Sequence, residues 1–148
     1  LPQLVKLRQF GFVGGGRFGC VTCHVDNVVE ALICALDRGR GGAAYFINDP
    51  EPTTLRDFLT KVAAALGLKI DRAPSLPYGV AWVLGGLMEG WARATRAKND
   101  PPMSRTMVRL IGRPFTTDDS KARAELGYFG RVSRAEGLGS YAAAPAQS

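Results

Sequence analysis

Two clusters near the start of the chain carry residue types that do chemistry. Gly14-Gly15-Gly16-Arg17-Phe18-Gly19 satisfies G-x-G-x-x-G, the pattern that lets backbone amides approach a dinucleotide pyrophosphate, and Asp37 stands about where a ribose-binding acid would. Cys20-Val21-Thr22-Cys23-His24 satisfies C-x-x-C-H, the attachment pattern of c-type haem, for which Met88, Met103 or Met107 could supply a sixth ligand. Each pattern demands a particular element around it. The dinucleotide motif needs its third glycine inside the first turn of a helix. Here Gly19 runs into CVTCHV, which is strand-like, the helical pattern starts only at about Asp26, and Asp37 falls at a helix end. The glycines therefore read as a hairpin or a pair of bends. Covalent haem needs both thiols and the imidazole on one surface, plus export, whereas strand alternation sends Cys20 and Cys23 to opposite faces. A zinc site is weaker still, because Cys34 lies on the apolar side of a helix and reads as a structural thiol. His24 reads as a hydrogen-bonded structural histidine where a strand gives way to a helix.

The elements that must position these residues follow from periodicity and turn chemistry. Leu1–Gln9 reads as a short helix, and Phe10–Val13 and Phe18–Cys23 as strands flanking the glycines. Val25, Val28, Val29, Leu32, Ile33 and Leu36 form one helical stripe. Asn27 with Glu30, or else Asp26, is the expected cap, and Gly39 the left-handed stop. AAYFI at 43–47 reads as a buried strand. Thr54 and Asp57 cap a helix carrying Leu55, Phe58, Leu59, Val62 and Leu66, stopped by Gly67. Leu68–Ala73 is a weaker strand. Pro77–Lys98 is helical but broken by glycine, with Trp82, Met88 and Trp91 as core or the wall of an apolar pocket. Pro102 opens a helix through Ile111, Asp118 or Asp119 caps Ser120–Leu126, and 142–148 reads as a flexible tail. A helix crossing between strands implies a parallel pair and an α/β class. With so few strands the expectation is the edge of a Rossmann-type parallel sheet plus a mainly helical lobe, part of a larger fold.

Composition bounds the alternatives. The chain has 148 residues, 46% hydrophobic and 22% charged, which excludes wholesale disorder, and its 18 glycines and nine prolines exclude a coiled coil. A net charge of +6 raises a nucleic-acid-binding module as a rival, but the arginines are scattered singly and read as a solvated surface, so no nucleic acid is expected. Three cysteines and no export signal favour a reducing cytoplasm. The uncharged run from Ala73 is interrupted by prolines and glycines and falls short of the ~20 apolar residues of a spanning helix, so no transmembrane segment is expected.

The segment His24-Val25-Asp26-Asn27-Val28-Val29-Glu30-Ala31-Leu32 resembles the H-V-x-D/N-v-v-x-a stretch in the second half of extended short-chain dehydrogenases/reductases. These are the NAD-dependent epimerase/dehydratases and the 3β-hydroxysteroid dehydrogenase-like enzymes. GAAYFIN at 42–48, TLRDF at 54–58, SKARAELGY at 120–128 and SRAEG at 133–137 resemble later stretches of the family in the same order. The resemblance spans 1–141 and implies the C-terminal, substrate-binding portion of such an enzyme. The family's cofactor glycines and Tyr-x-x-x-Lys pair would lie N-terminal to everything present. Tyr45, Tyr78, Tyr128 and Tyr141 are followed four residues on by Asp49, Trp82, Val132 and Pro145, never by lysine. In this chemistry the tyrosine is the general acid/base and the lysine lowers its pKa. The resemblance thus implies NAD or NADP in a full-length parent and none bound tightly by this chain.

In sugar-nucleotide epimerases of the family an arginine often precedes the histidine by four residues and binds phosphates; here that position is Cys20. With the apolar stretch Leu76–Trp91, this favours a small hydrophobic alcohol or ketone, sterol-like or terpenoid-like. A sugar-nucleotide epimerase or dehydratase is the alternative. The expected substrate-binding residues are Cys20, Val21, Thr22 and Trp82, with no catalytic, cofactor or metal residue in this chain, and the parent could be a homodimer.

Overall fold

The computed structural model describes residues 10–96, 101 and 103–143, with side chains to residue 140. The helix expected at Leu1–Gln9, the proposed opener Pro102 and the tail beyond residue 143 lie outside these. The architecture is mixed α/β. Its elements are β1 (Phe12–Val13), a 3-10 turn (Gly14–Gly16), β2 (Gly19–Cys20), α1 (Val25–Arg38), β3 (Thr53–Thr54), α2 (Leu55–Ala65), β4 (Ser75–Leu76), α3 (Tyr78–Ala94), α4 (Arg105–Ile111), α5 (Ser120–Leu126) and α6 (Arg134–Ala143). β1 pairs with β4 in parallel, Phe12 opposite Ser75 and Val13 opposite Leu76, and β2 pairs with β3. The parallel pair expected of an α/β fold is therefore present, but the glycine hairpin is not. The strands on either side of Gly14–Gly16 join different partners, because all three glycines take positive φ and turn the chain away from itself.

The chain divides into two compact units, each assembled from two separated stretches: 1–19 with 54–115, and 20–53 with 116–148. In the first unit, one cluster gathers Phe12, Ala63 and Ile70 under α2. A second gathers Val13, Ala81 and Val108, with Leu76, Tyr78, Trp82, Met103 and Ile111 packed around them. In the second unit, α1 and α5 meet through Ala31, Ala122, Leu126 and Tyr128, with Cys34 against the same cluster.

Several local expectations change. α1 is capped by His24, whose Nδ1 accepts the Asp26 N–H at 3.2 Å, and not by Asn27 with Glu30. Asn27 is wholly buried, and Glu30 instead accepts the backbone N–H groups of Phe129 and Arg131. Gly39 ends α1 in an extended conformation, φ −68°, not a left-handed one. Glycine is needed there because a Cβ would strike the Ala35 carbonyl. Residues 43–47 form no strand among the described residues. They alternate in burial, Tyr45 and Ile47 packing on the α1–α5 cluster and Phe46 facing out, but no neighbouring strand supplies a ladder. The second strand of the β1 ladder is Ser75–Leu76 and not Leu68–Ala73, which turns at Asp71–Arg72. α3 runs unbroken through Gly79, Gly85, Gly86 and Gly90. Gly85 and Gly86 serve close approach, since a Cβ on either would press on Ser104 or Arg105 at the start of α4. α4 begins at Arg105 behind Ser104, whose Oγ accepts the Met107 N–H at 3.1 Å. α2 follows the sequence closely: Thr54 Oγ1 accepts the Asp57 N–H at 3.2 Å, and Gly67 sits at φ +69° beyond the end. At α5 both aspartates take part, Asp118 accepting the Ser120 N–H and Asp119 pairing with Arg123 at 2.7 Å.

Two helices bury their small residues and expose their large ones. α1 turns Asn27, Ala31, Cys34 and Ala35 inward, while its apolar stripe faces outward, from 38% exposed at Val28 to 90% at Leu36. α3 buries Ala81 and Gly85 and exposes Val80, Val83, Leu84, Leu87, Met88 and Trp91 at the same helical spacing, so of the two readings of Trp91, core or pocket wall, the core one is corrected.

Candidate functional site

The polar centre of the second unit is Asp49, buried beneath the start of α1. Its Oδ1 accepts the His24 N–H and the Asn27 Nδ2–H, each at 2.8 Å, and its Oδ2 accepts the Thr22 hydroxyl at 2.7 Å. Asn27 also donates to the Val132 carbonyl at 2.8 Å and accepts the Val132 N–H at 2.9 Å, so its amide is fully used. Burial alone would raise the Asp49 pKa, but the three hydrogen bonds and the Arg134 charge outweigh it and hold the carboxyl below its ordinary 3.8. Arg134 is itself nearly buried; its Nε donates to Thr22 Oγ1, and its far end reaches the Glu51 carbonyl and carboxylate. Donors and acceptors balance, as a buried ionic cluster requires.

This network fixes where two expected substrate residues stand. Thr22 spends its hydroxyl on Asp49 and Arg134. Cys20, at the end of β2, is half-buried, and burial pushes its thiol pKa up against the lowering effect of Arg134. Val21 lies between them, also half-buried. Trp82 belongs to the first unit, where it stacks on Tyr78 at 6.0 Å with the Arg105 guanidinium 5.7 Å from its ring centre. Cys23 is exposed, its thiol pushed up by burial of its sulfur and by the Asp49 charge, so neither thiol of the C-x-x-C-H run is poised as a thiolate. His24 is the hydrogen-bonded histidine expected at this junction, and it also takes the capping role expected of Asn27 or Asp26.

The first unit holds a cavity of about 640 Å³ lined by Gly14, Gly15, Arg17, Arg56, Ser75 and Pro77. Its floor is a crossing of backbone and side chains. The Gly15 N–H donates to Ser75 Oγ at 2.7 Å, and the Gly15 carbonyl accepts Arg56 Nε at 2.6 Å. Arg56 lies over the Phe12 ring at 4.1 Å and reaches the Asp71 carbonyl. None of the lining residues is acidic, and none is among the four expected from the sequence. The signal that could have found them was Arg17 itself, a single cation set within a glycine cluster. The same geometry answers the dinucleotide question. Gly19 stands in β2 and no helix begins until Val25, so Gly14–Gly19 offers no helix N-terminus to a pyrophosphate and does not fit that cofactor.

No family model matches the chain. A ketoreductase of Stigmatella aurantiaca, acting on 4-hydroxy-2-methyl-3-oxo-4-farnesyl-3,4-dihydroquinoline-1-oxide, is 41% identical over 141 residues, which cover 93% of this chain and 42% of that protein. The proteins this chain matches belong to the short-chain dehydrogenase/reductase and NAD-dependent epimerase/dehydratase superfamily, and the chain aligns with part of each. Relatives from the same superfamily include a 2-alkyl-3-oxoalkanoate reductase of Stenotrophomonas maltophilia, 29% identical and 44% covered. Another is a decarboxylating sterol-4-alpha-carboxylate 3-dehydrogenase of Dictyostelium discoideum, 24% identical and 42% covered. Among solved structures, gox2253 superposes with a TM-score of 0.62 at 26% identity, over 86% of this chain and 37% of that one. The fold also matches dTDP-glucose 4,6-dehydratase of Bacillus anthracis, in complex with NAD, at a TM-score of 0.54 and 16% identity. The chain thus spans about two-fifths of the reductase and dehydrogenase relatives it matches. Those relatives are oxidoreductases, and the resemblance carried by His24–Leu32 and the four later stretches is to the right superfamily.

Proposed function

We propose that this chain supplies the substrate-binding portion of an NAD(P)-dependent oxidoreductase that acts on a hydroxyl or keto group of a hydrophobic substrate. Its 41% identity to a ketoreductase of a farnesylated quinoline is the observation that carries the reading. Cys20, a half-buried neutral thiol where sugar-nucleotide epimerases often place a phosphate-binding arginine, supports an apolar substrate. The outward apolar stripes of α1 and α3 support a chain whose large side chains pack against further parts of a parent enzyme. Cofactor binding and the tyrosine–lysine pair belong, on this reading, to that remainder. The chain alone then neither transfers hydride nor holds NAD(H) tightly.

The test is a chimera in which this chain replaces the matching region of the Stigmatella aurantiaca ketoreductase. NAD(P)H oxidation is expected with long-chain ketones and not with UDP- or dTDP-sugars. Cys20→Arg in the chimera should raise KM for the ketone by setting a second guanidinium near Arg134 at a half-buried position, leaving the KM for NAD(P)H unchanged. Turnover of sugar nucleotides alone, or an effect of Cys20→Arg confined to the cofactor, would overturn the assignment.

A further inference from the structure

We propose that the cavity between the Gly14–Gly16 turn and the start of α3 is an oxyanion subsite, taking the acidic end of a ligand whose remaining body is apolar. The proposal deepens the reading of this chain as a substrate-binding portion and rests on it for the ligand's identity. Four observations meet in one place.

Arg17 projects into the cavity with an exposed side chain and makes no hydrogen bond or ion pair among the described residues. An arginine fork without a partner is the donor set that matches a carboxylate or phosphate. Arg56, on the same wall, is held by the Gly15 carbonyl through Nε and by the Phe12 ring beneath it, so its position is fixed before any ligand arrives. Ser75 accepts the Gly15 N–H, which leaves its own hydroxyl hydrogen to donate. No acid lines the cavity, so two guanidinium groups face a space without a counter-charge.

The glycines explain why this space exists. Gly15 sits at φ +75°, and a Cβ there would lie 3.3 Å from the Arg17 side chain, which passes directly over it. Gly16 sits at φ +65°, and a Cβ there would press on Phe12 and Arg56. Side chains at either position would displace the two arginines, so the triple glycine sets the shape of a cationic cradle. Pro77, the residue just before α3, adds an apolar surface to the lining. A bare ion would leave that surface idle; an oxyanion attached to a hydrocarbon body uses it.

The experiment uses the full 148-residue chain and three probes, decanoate, decyl phosphate and decanol, followed by titration calorimetry and by the amide resonances of Gly14–Gly16. Decanoate or decyl phosphate should bind at least tenfold more tightly than decanol and shift the glycine amides. Arg17→Ala should weaken the anions tenfold or more while leaving decanol and the thermal midpoint unchanged, because Arg17 holds no other part of the chain. Competition by inorganic phosphate assigns the site to a phosphorylated ligand, and its absence to a carboxylate. Equal affinity for decanol and decanoate, or anion binding insensitive to Arg17→Ala, overturns the subsite while leaving the hydrophobic reading standing. Tight anion binding by a chain whose chimera reduces no ketone keeps the subsite and overturns the reading.

Discussion

Asn27→Leu removes a side chain that joins α1 to both Asp49 and the approach to α6. Three hydrogen bonds go with it: one to the buried Asp49 carboxylate, one to the Val132 carbonyl, and one from the Val132 N–H. A bond to a charged group is worth about 1.5–3 kcal/mol and a neutral one about 1 kcal/mol, while the new apolar side chain regains about 1–2 kcal/mol. The expected net loss is about 3 kcal/mol, a large share of the 5–15 kcal/mol available to a domain. Asn27→Asp keeps the shape but sets a second carboxylate at hydrogen-bond distance from Asp49, so it should lose at least as much. Urea unfolding followed by far-ultraviolet dichroism gives the totals. Hydrogen exchange locates them, with α1 and the 128–140 segment expected to lose protection first. A loss below about 1 kcal/mol for Asn27→Leu, or a mild Asn27→Asp beside a severe Asn27→Leu, would show that Asn27 acts by filling space and refute the network argument.

Asp49 has its pKa lowered by folding, so its stabilisation is fully present above its unfolded value of 3.8 and is lost as pH falls through the lower folded value. Acid titration of urea stability should show this loss, and Asp49→Asn should remove it. Gly16→Ala forces a side chain into a left-handed backbone and against the Phe12 ring, at a cost of about 2–4 kcal/mol in the midpoint of the first unit; an unchanged midpoint would contradict the described turn. The outward stripe of α1 should bind a hydrophobic dye, and Ile33→Glu with Leu36→Lys should cut that fluorescence without lowering stability, since both residues are largely exposed. Ser104→Ala should cost about 1 kcal/mol by uncapping the short α4, measured by thermal unfolding.

The positions of the helices were legible because caps and periodicity are local. Thr54, Asp57 and Gly67 bracket α2 within four residues of where their chemistry acts. What covers a helix is not local. The α1 stripe announced an apolar face, yet within this chain the helix docks through Asn27, Ala31 and Ala35, because small residues permit the close approach to α5. Asn27 looked like a cap since its neighbours in sequence permit one; its true partners, Asp49 and Val132, are 22 and 105 residues away. Residues 43–47 have a strand's composition, but a strand is a pairing, and no partner stands beside them among the described residues. The candidate site divides in the same way. Cys20, Val21 and Thr22 came from a resemblance read along one strand. The cavity escaped notice because Gly15, Arg56 and Ser75 converge from positions 41 and 60 residues apart.

The interleaving of the two units sets the order in which a ribosome can release them. The first unit has all its residues once Phe115 has emerged, whereas the second must wait for the stretch 116–148 to return to 20–53. Until Val132 arrives, Asn27 lacks two of its three hydrogen bonds, and the face of α1 that packs on α5 stays open to water. Closing a loop of 105 residues is slow relative to local helix formation, so α1 stays without these partners until that return is made. Such a segment is what a chaperone grips, and a chain cut just after Phe115 would keep every residue of the first unit while the second lost its later stretch.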